Sequence, residues 1–259
     1  MANEAFLAEV RHTNAVFMGR NDWGALLEQI SLAIYCSVLR PGDVAVDCGA
    51  NTGEHTRAMA LHVGGNGRVF SFEAVPEMME RAQSHNAAYK NITWVNRALF
   101  DIAGQEIEFN YYPNENGLSS IKKREGTSVC VPVNVLTTTL DDEIEDDVAL
   151  IKLDIEGAEY HALKGANRIL RESRPVIIFE NGRQASADLF GYSADDFFSL
   201  FQSIGYCLYF ISGMPFTREL WDEPNHPWQF IAIHPSSPRA SRTFAVTYNY
   251  ACYLRAHYP

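Results

Sequence analysis

The stretch from Val44 to Ala60, VAVDCGANTGEHTRAMA, constrains the fold of this chain more than any other. It begins as an apolar strand pattern that ends in Asp47, passes through Gly49 and Gly53, and continues as a helical pattern. Glycine lets the backbone turn sharply and lets a ligand approach without meeting a Cβ atom. In open α/β sheets, ligands bind outside the carboxyl ends of the strands. The stretch therefore predicts a strand, a ligand-binding turn and a helix.

Strand and helix patterns alternate along the rest of the chain, which predicts right-handed βαβ units. The chain is expected to form an α/β, Rossmann-like, doubly wound and mainly parallel sheet that ends in an antiparallel hairpin. The strand patterns are VAVDC, RVFSFEA, ITWVNRAL, VALIKLDIEG and PVIIFEN, with YCLYFIS and QFIAIHP as the hairpin. Two helices are predicted around 56–62 and from about Pro76 to Tyr89, and a third follows VALIKLDIEG. A fourth is predicted in SADDFFSLFQSIG, with Ser193 as its N-cap and Gly205 as its end.

The chain is divided into a central domain, 43–236, and two extensions. Residues 1–42 are predicted to be helical, with Asp22 as the N-cap of one helix, and 237–259 form a C-terminal extension. Apolar residues alternate in FAVTYNYACYL, so this extension is expected to pack, as a strand or a helix, on the domain or on a second subunit. QEIEFNYY and SVCVPVNV predict an antiparallel pair within an insertion at about 104–136, around the polar loop PNENGLSSIKKREGT.

Composition excludes several classes of protein. The 21 Lys and Arg residues against 32 Asp and Glu residues give a net charge of −11, and no basic block is present, so nucleic acid is not expected as a partner. The five cysteines form no C-x-x-C pair and are expected to be reduced thiols. No leader pattern and no apolar run long enough to cross a bilayer is found, so a cytoplasmic protein without a membrane partner is expected.

The acids at two strand ends indicate the kind of ligand. The turn reads D-x-G-x-x-x-G rather than the G-x-G-x-x-G of dinucleotide-binding folds. The carboxylate of Asp47 would repel a pyrophosphate but attract a sulfonium or an amino group. The carboxylate of Glu73 could accept hydrogen bonds from both hydroxyls of a ribose. S-adenosylmethionine fits this description.

The chain resembles the FkbM family of class I S-adenosylmethionine-dependent methyltransferases from about Asp43 to Glu180. The matching motifs are DCGANTGEHT, FSFEAVPE, GLSS, TTLDD, IKLDIEGAEYHALKGA and RPVIIFE. The resemblance implies that the methionine part of the cofactor is surrounded by Asp47, Gly49, Asn51, Gly53 and Thr56, the ribose by Glu73, and the adenine by Ala98 and Asp101. It also implies methyl transfer to a hydroxyl of a polyketide, a sugar or another small natural product, or to a carboxylate.

Methyl transfer to an alcohol requires a base, and the candidates cluster at the strand ends. They are Lys152, Asp154, Glu156, Glu159, Glu180 and His55, of which Asp154 or Glu156 is the first choice. Lys152 could instead be an ion-pair partner, His55 a packed ring, and Glu159 a helix cap. The aromatic residues Phe216, Trp221 and Trp228 could stack on the acceptor or form a hydrophobic cover.

The sequence leaves open a metal ion, two other functions and the oligomeric state. Asp154, Glu180 and Asn181 offer oxygen ligands suited to Mg²⁺, although acidic strand ends are common in such folds. An NAD-dependent oxidoreductase would use a similar first strand, but it would normally carry G-x-G-x-x-G. A non-catalytic cofactor-binding module would keep the glycines and lose the strand-end acids, which are present here. The extensions could also support a homo-oligomer.

Overall fold

A computed structural model describes residues 4–123 and 129–257. Positions 1–3 of the predicted N-terminal extension, 124–128 at the end of the predicted polar loop and the start of SVCVPVNV, and 258–259 of the C-terminal extension lie outside the described residues. The strands are β1 (Val44–Cys48), β2 (Arg68–Phe72), β3 (Ile92–Val95), β4 (Ala98–Leu99), β5 (Glu106–Tyr111), β6 (Val131–Thr138), β7 (Val148–Leu153), β8 (Val176–Glu180), β9 (Cys207–Phe210) and β10 (Gln229–Ile233).

Seven of these strands form the central sheet, in the order β3-β2-β1-β7-β8-β10-β9. The neighbouring pairs from β3 to β8 are parallel, whereas β10 is antiparallel to both β8 and β9. This confirms the mainly parallel sheet with a C-terminal antiparallel hairpin. In such a sheet, ligands bind at the edge formed by the carboxyl ends of the parallel strands. Here that edge is formed by the ends of β2, β1, β7 and β8.

The predicted insertion forms a second, smaller sheet. Strands β5 and β6 pair antiparallel, as predicted, and the short strand β4 pairs with β6 to complete the order β4-β6-β5. Apolar side chains of this sheet, including Phe109 and Val135, pack with Val75 and Met78. The insertion is therefore fixed against the segment that follows β2, at the edge where ligands bind.

Helices cover both faces of the central sheet. They are α1 (Glu4–Met18), α2 (Trp23–Val38), α3 (Glu54–Val63), α4 (Pro76–His85), α5 (Leu140–Glu143), α6 (Glu159–Lys164), α7 (Asn167–Glu172), α8 (Gln184–Phe190), α9 (Ala194–Ser203) and α10 (Ala240–His257). Apolar side chains of α6, α7 and α9 pack on one face and those of α2 and α3 on the other. Of the described helices, none is long and apolar enough to cross a membrane.

Helix boundaries agree with the capping signals at some positions and not at others. Ser193 forms a capping box with Asp196 at the start of α9, as its sequence predicts. Asp22 precedes α2, but its carboxylate accepts hydrogen bonds from the guanidinium of Arg20 instead of from the helix. Helix α4 ends before Tyr89, because the side-chain amide of Asn86 turns inward and donates to carbonyl oxygens of Gly53 and Ala82.

The C-terminal extension is a helix, so its alternating apolar residues do not form a strand. Helix α10 packs on α2 and α1, and Phe244 and Val246 contribute to the core beneath α2. Tyr248 belongs to the same alternating series, yet it is 66% exposed. Buried positions of α10 include Ala240, Thr243, Thr247 and Ala251, which are three or four residues apart as on one face of a helix.

Candidate active site

Close backbone packing at Gly49 brings the ends of β1 and β7 together. A Cβ atom at Gly49 would lie 1.9 Å from the carbonyl oxygen of Asp154, and the residue has a φ of +85°. The N–H groups of Gly49 and Ala50 both donate to the carbonyl oxygen of Phe72 at the end of β2. The sequence requires glycine here because no other residue fits both the space and the conformation.

A cavity lies outside the ends of β1, β2 and β7. We call it the first cavity. It is lined by residues from the glycine turn, the end of β2, the segment after β3, the insertion and the loop after β7. They are Gly49, Asn51, Phe72, Glu73, Ala74, Val75, Met78, Arg97, Ala98, Leu99, Phe109, Gly117, Ser119, Ile121, Asp154, Ile155, Glu156 and Ala158. Four of the predicted cofactor residues, Gly49, Asn51, Glu73 and Ala98, are among them.

Glu73 organises the wall of the first cavity. Its carboxylate accepts hydrogen bonds from the backbone N–H groups of Asn51 and Val75, each at 2.9 Å. Burial raises the pKa of Glu73 to about 7, against the lowering effect of these hydrogen bonds. Glu73 thus links the glycine turn to the segment after β2.

Asp47 and Thr56 lie beneath the glycine turn, and neither side chain is exposed. Oδ2 of Asp47 accepts a hydrogen bond from the Thr56 hydroxyl at 2.5 Å, and Oδ1 lies 3.7 Å from Nζ of Lys152. Gly53 caps α3 in a left-handed conformation and packs against Asn86. Asp47, Gly53 and Thr56 are not among the residues that line the first cavity and lie in the layer that supports the turn, and their contact with the methionine part of the cofactor stays a prediction.

Asp101 also lies outside the set of cavity-lining residues. Its carboxylate lies 3.0 Å from Nδ1 of His161 and 2.7 Å from Nζ of Lys164. The Lys164 and His161 contacts lower the pKa of Asp101, against a raising effect of burial. Asp101 thus forms an ion pair to α6, and its contact with adenine stays a prediction.

The loop after β7 is held by a buried carboxylate. Oε1 of Glu159 accepts hydrogen bonds from the N–H groups of Ile155 and Gly157, at 3.0 and 3.1 Å. Glu159 thus closes the turn that presents Asp154 and Glu156, and its side chain does not cap α6. Glu156 has a φ of +57°, and its carbonyl oxygen accepts a hydrogen bond from the Ser120 hydroxyl at 2.8 Å. The GLSS and KLDIEGAE motifs therefore meet at one hydrogen bond.

A smaller and narrow cavity, the second cavity, lies on the other side of Asp154. Its walls come from α2, α3, β7, β8 and β10. It is lined by Glu28, Ser31, His55, Lys152, Leu153, Asp154, Ile178, Phe179, Glu180 and Gln229. Of the described residues, Asp154 alone lines both cavities. Glu156, predicted beside Asp154 at the reaction centre, lines the first cavity and not the second.

Lys152 lines the second cavity and carries a positive charge there. It is 7% exposed, and Nζ lies 3.3 Å from Oδ2 of Asp154. Burial lowers its pKa, but the carboxylates of Asp154 and Asp47 outweigh this effect and raise the pKa above the ordinary lysine value. Lys152 is therefore charged at neutral pH, which removes it from the candidate bases and makes it an ion-pair partner.

The remaining polar groups of the second cavity form two hydrogen-bonded sets. Nδ1 of His55 lies 3.1 Å from the Tyr35 hydroxyl, and its Nε2 lies 3.2 Å from Glu28. Glu180 accepts a hydrogen bond from Nε2 of Gln229 at 2.9 Å. Burial, followed by the charge of Asp154, raises the pKa of Glu180 to about 7. The cavity thus combines carboxylates with one paired ammonium group.

The residues predicted to bind Mg²⁺ do not fit that ion. Asp154 and Glu180 line the same cavity, but Oδ1 of Asn181 accepts a hydrogen bond from the Arg183 N–H and its Nδ2 donates to Tyr192. The ammonium group of Lys152 already compensates Asp154. Within the described ranges, no group of three or more His, Cys, Asp or Glu side chains is placed to hold a metal.

Sequence reasoning missed the residues that α2 and β10 supply. Glu28, Ser31 and Tyr35 are spaced three and four residues apart, which places them on one face of a helix, and this spacing is the signal that could have found them. Gln229 carries no such signal, because its position depends on the pairing of β10 with β8 opposite Glu180.

The aromatic loop is mainly a hydrophobic cover. Phe216 and Trp221 are 4% and 1% exposed and pack against Phe197 of α9. Trp228 is 39% exposed and meets Trp23 edge-on at 4.7 Å between ring centroids. The predicted stacking on an acceptor does not apply to the two buried rings.

Comparison with known proteins shows that the chain belongs to the FkbM methyltransferase family. A sequence model described as the methyltransferase FkbM domain matches residues 47–208. A protein-L-isoaspartate O-methyltransferase of Ignicoccus hospitalis is 35% identical over 66 residues, which are 25% of this chain and 31% of that protein. The chain therefore spans less than a third of the length of this curated relative.

Solved structures of methyltransferases are also similar. A methyltransferase FkbM from Methylobacillus flagellatus is 21% identical, with a TM-score of 0.48, over 76% of this chain and 49% of that chain. A putative rRNA-methylase from Clostridium thermocellum is 13% identical, with a TM-score of 0.48, over 83% of this chain and 96% of that chain. This chain covers about half of the first structure and nearly all of the second.

Proposed function

Because the chain belongs to the FkbM methyltransferase family, we propose that it methylates a hydroxyl oxygen of a small molecule bound in the second cavity. The family membership makes it an S-adenosylmethionine-dependent methyltransferase with a class I fold. The single observation that carries the proposal is the position of Asp154, which lines both cavities. A donor in one cavity and an acceptor in the other would meet at this carboxylate.

The residues of the first cavity fit S-adenosylmethionine. Gly49 leaves the backbone accessible, Glu73 can accept hydrogen bonds from the ribose hydroxyls, and apolar groups such as Met78 and Leu99 can contact the adenine ring. When bound, the cofactor supplies an electrophilic methyl group on a sulfonium. The carboxylate of Asp154 is well suited to lie near that positive charge.

Asp154 is our proposed base. Its carboxylate would hydrogen-bond to the acceptor hydroxyl and take its proton. The oxygen would receive the methyl group from the sulfonium, whose bond to the methyl carbon would break to leave S-adenosylhomocysteine. Lys152 would keep the carboxylate oriented, since its ammonium group lies 3.3 Å from Oδ2. Orientation and proton removal together supply much of the rate in such a displacement.

A hydroxyl acceptor is favoured over a carboxylate acceptor by the walls of the second cavity. Glu28, Asp154 and Glu180 would repel a carboxylate at short distance. The net charge of −11 and the absence of a basic block in the sequence likewise favour a small molecule over a nucleic acid. We place this activity in natural product biosynthesis in the cytoplasm.

Incubation with S-adenosylmethionine carrying a labelled methyl group tests the proposal. Cell extracts and a panel of hydroxyl compounds serve as acceptors, and NMR of the purified product identifies the methylated atom. We expect a methyl ether. A methyl group on nitrogen or carbon contradicts oxygen transfer. Stabilisation by NAD but not by S-adenosylhomocysteine in a thermal shift assay would favour the oxidoreductase alternative.

Two variants connect the activity to the site. Asp154→Asn should abolish most of the label transfer, because it removes the basicity of the shared carboxylate. Asp146→Asn is the matched control, since Asp146 lies on the surface in an ion pair with Arg68. Cofactor binding without transfer to any acceptor, in both the wild type and the control, would favour a non-catalytic binding module.

A further inference from the structure

The second cavity presents an excess of hydrogen-bond acceptors. Three carboxylates line it, those of Glu28, Asp154 and Glu180, together with the side-chain amide of Gln229. The donors on the same walls are the Ser31 hydroxyl, the ammonium group of Lys152, the His55 ring, whose Nε2 lies 3.2 Å from Glu28, and Nε2 of Gln229, which donates to Glu180. Lys152 lies within 4 Å of both Asp154 and Asp47, and its charge also lowers the pKa values of Glu28 and Glu180, so one ammonium group is shared among four carboxylates.

The amide oxygen of Gln229 lacks a partner. Gln229 is 8% exposed, and its Nε2 donates to Glu180. Its Oε1 has no hydrogen-bond partner within the described part of the chain. A buried acceptor without a donor is unfavourable, so this oxygen is poised for a ligand that donates an N–H or O–H.

The charges around the cavity are unbalanced. Asp47, Asp154, Glu28 and Glu180 surround one lysine, and a bound sulfonium in the first cavity would add one further positive charge beside Asp154. Burial is the largest effect that raises the pKa of Glu180, and the charges of Asp154 and Glu28 raise it further, whereas the hydrogen bond from Gln229 and the charge of Lys152 lower it. A cation next to Glu180 would relieve this repulsion and favour the ionised carboxylate.

We propose that the acceptor carries an ammonium group, held by Glu28, Glu180 and Gln229 while its hydroxyl faces Asp154. The proposal rests on the methyl transfer proposed above and adds the charge class of its acceptor. An ammonium group supplies three N–H donors, which match two carboxylates and the unpartnered amide oxygen. The enzyme would thus act on amino alcohols or amino sugars rather than on neutral polyols.

Calorimetry with matched ligands tests this inference. Ethanolamine, aminopropanol and aminocyclohexanol are each compared with the diol and the hydroxy acid of the same skeleton, in the presence of saturating S-adenosylhomocysteine. For at least one skeleton, we expect the ammonium form to bind about tenfold or more tightly than the diol, the gain expected from charge-assisted hydrogen bonds. The hydroxy acid should bind more weakly than the diol.

Variants assign the effect to named residues. Glu180→Gln and Glu28→Gln should each reduce the preference for the ammonium form over the diol by about fivefold or more, because each removes one negative charge. Glu172→Gln, on the exposed surface of α7, is the matched control and should leave the preference unchanged. S-adenosylhomocysteine affinity, measured for each variant, shows that the first cavity is intact.

Two outcomes overturn the inference. One is tighter or equal binding of a diol or hydroxy acid on every skeleton, and the other is no binding of any ammonium form. Methyl ether formation on a neutral acceptor would then leave the proposed function standing. Conversely, a methyl group found on the nitrogen of a bound amine contradicts oxygen transfer but not the binding of a cation.

Discussion

The ammonium nitrogen of Lys152 lies 3.3 Å from Oδ2 of Asp154, beside the carboxylate that the two cavities share. The same nitrogen lies 3.7 Å from Oδ1 of the fully buried Asp47. Register explains this arrangement, because Lys152 of β7 pairs with Asp47 of β1. One lysine therefore connects the layer beneath the glycine turn to the proposed reaction centre.

Replacing Lys152 by methionine should destabilise the protein by about 3–5 kcal/mol, since it leaves buried carboxylates without compensation. Urea denaturation measures the free energy of unfolding. The double variant Lys152→Met with Asp47→Asn should recover part of the loss, because the buried charge is removed as well. Equal stability of the single variant and the wild type would contradict a charged Lys152 in this position.

Glu159 should make the stability depend on pH. Burial raises its pKa from 4.5 to about 7, against hydrogen bonds from Gly157 and Ile155. Because the folded pKa is higher than the unfolded one, the contribution to stability is fully present below the unfolded pKa and is lost as the pH rises through about 7. The stability lost in this way is on the order of 3 kcal/mol.

Urea denaturation of Glu159→Gln at about pH 5 and about pH 8 tests this expectation. The variant should lose less stability than the wild type over this range, while retaining the pH dependence caused by Glu73 and Glu180. Glu172→Gln, at an exposed position, should follow the wild type. A wild type and a Glu159→Gln variant with parallel pH dependence would show that Glu159 does not titrate in this window.

Much of the first cavity could be predicted from the sequence, because its signals are local. A strand, two glycines and a helix within one short stretch predict where the turn forms, and Glu73 closes the very next strand. The partners of the Asp47 carboxylate could not be predicted from the sequence. Its neighbours Thr56 and Lys152 come from α3 and β7, and only the packing of those elements shows that they engage the carboxylate.

The second cavity could not be predicted in full, because distant segments build it. Glu28 and Ser31 lie in the N-terminal extension, and Gln229 lies near the other end of the domain. Their proximity depends on how α2 covers the sheet and how β10 inserts between β8 and β9. The C-terminal extension shows a related limit, since alternating apolar residues occur there in a helix.

Phe244 and Tyr248 provide a matched test of how α10 packs. Phe244 contributes to the core under α2 and contacts Tyr209 edge-on at 5.2 Å, whereas Tyr248 is 66% exposed. Phe244→Ala should cost about 2 kcal/mol and lower the melting temperature by about 4–8 °C. Tyr248→Ala should change it by much less. Equal effects of both substitutions would contradict this orientation of the helix.

Glu73 should contribute strongly to cofactor affinity. Calorimetry with S-adenosylhomocysteine should show at least about tenfold weaker binding for Glu73→Ala, because charged hydrogen bonds to the ribose are lost. Glu73 also accepts hydrogen bonds from Asn51 and Val75, so the turn could be disturbed. Glu73→Gln, which retains one acceptor oxygen, should show an intermediate loss. Unchanged affinity in both variants would remove Glu73 from the cofactor site.

The two acids of the loop after β7 should have separable roles, since Asp154 lines both cavities and Glu156 lines only the first. Asp154→Asn should lower kcat by roughly 10²–10⁴-fold, the usual contribution of a general base, and leave S-adenosylhomocysteine affinity within about threefold. Glu156→Gln should instead change cofactor affinity, with kcat changed by less than about tenfold. Both constants come from label transfer to the acceptor that the wild type methylates and from calorimetry.

The reverse pattern would contradict the assignment of the base to Asp154. If Glu156→Gln lost kcat while Asp154→Asn retained it, the reacting atoms would lie on the side of the first cavity. If both variants retained kcat, His55 and Glu180 would be the next residues to substitute, because both line the second cavity.

A chelator added to the wild type tests the metal-assisted alternative. Retained turnover in its presence agrees with proton removal by a carboxylate, and lost turnover that Mg²⁺ restores would require a metal at this site.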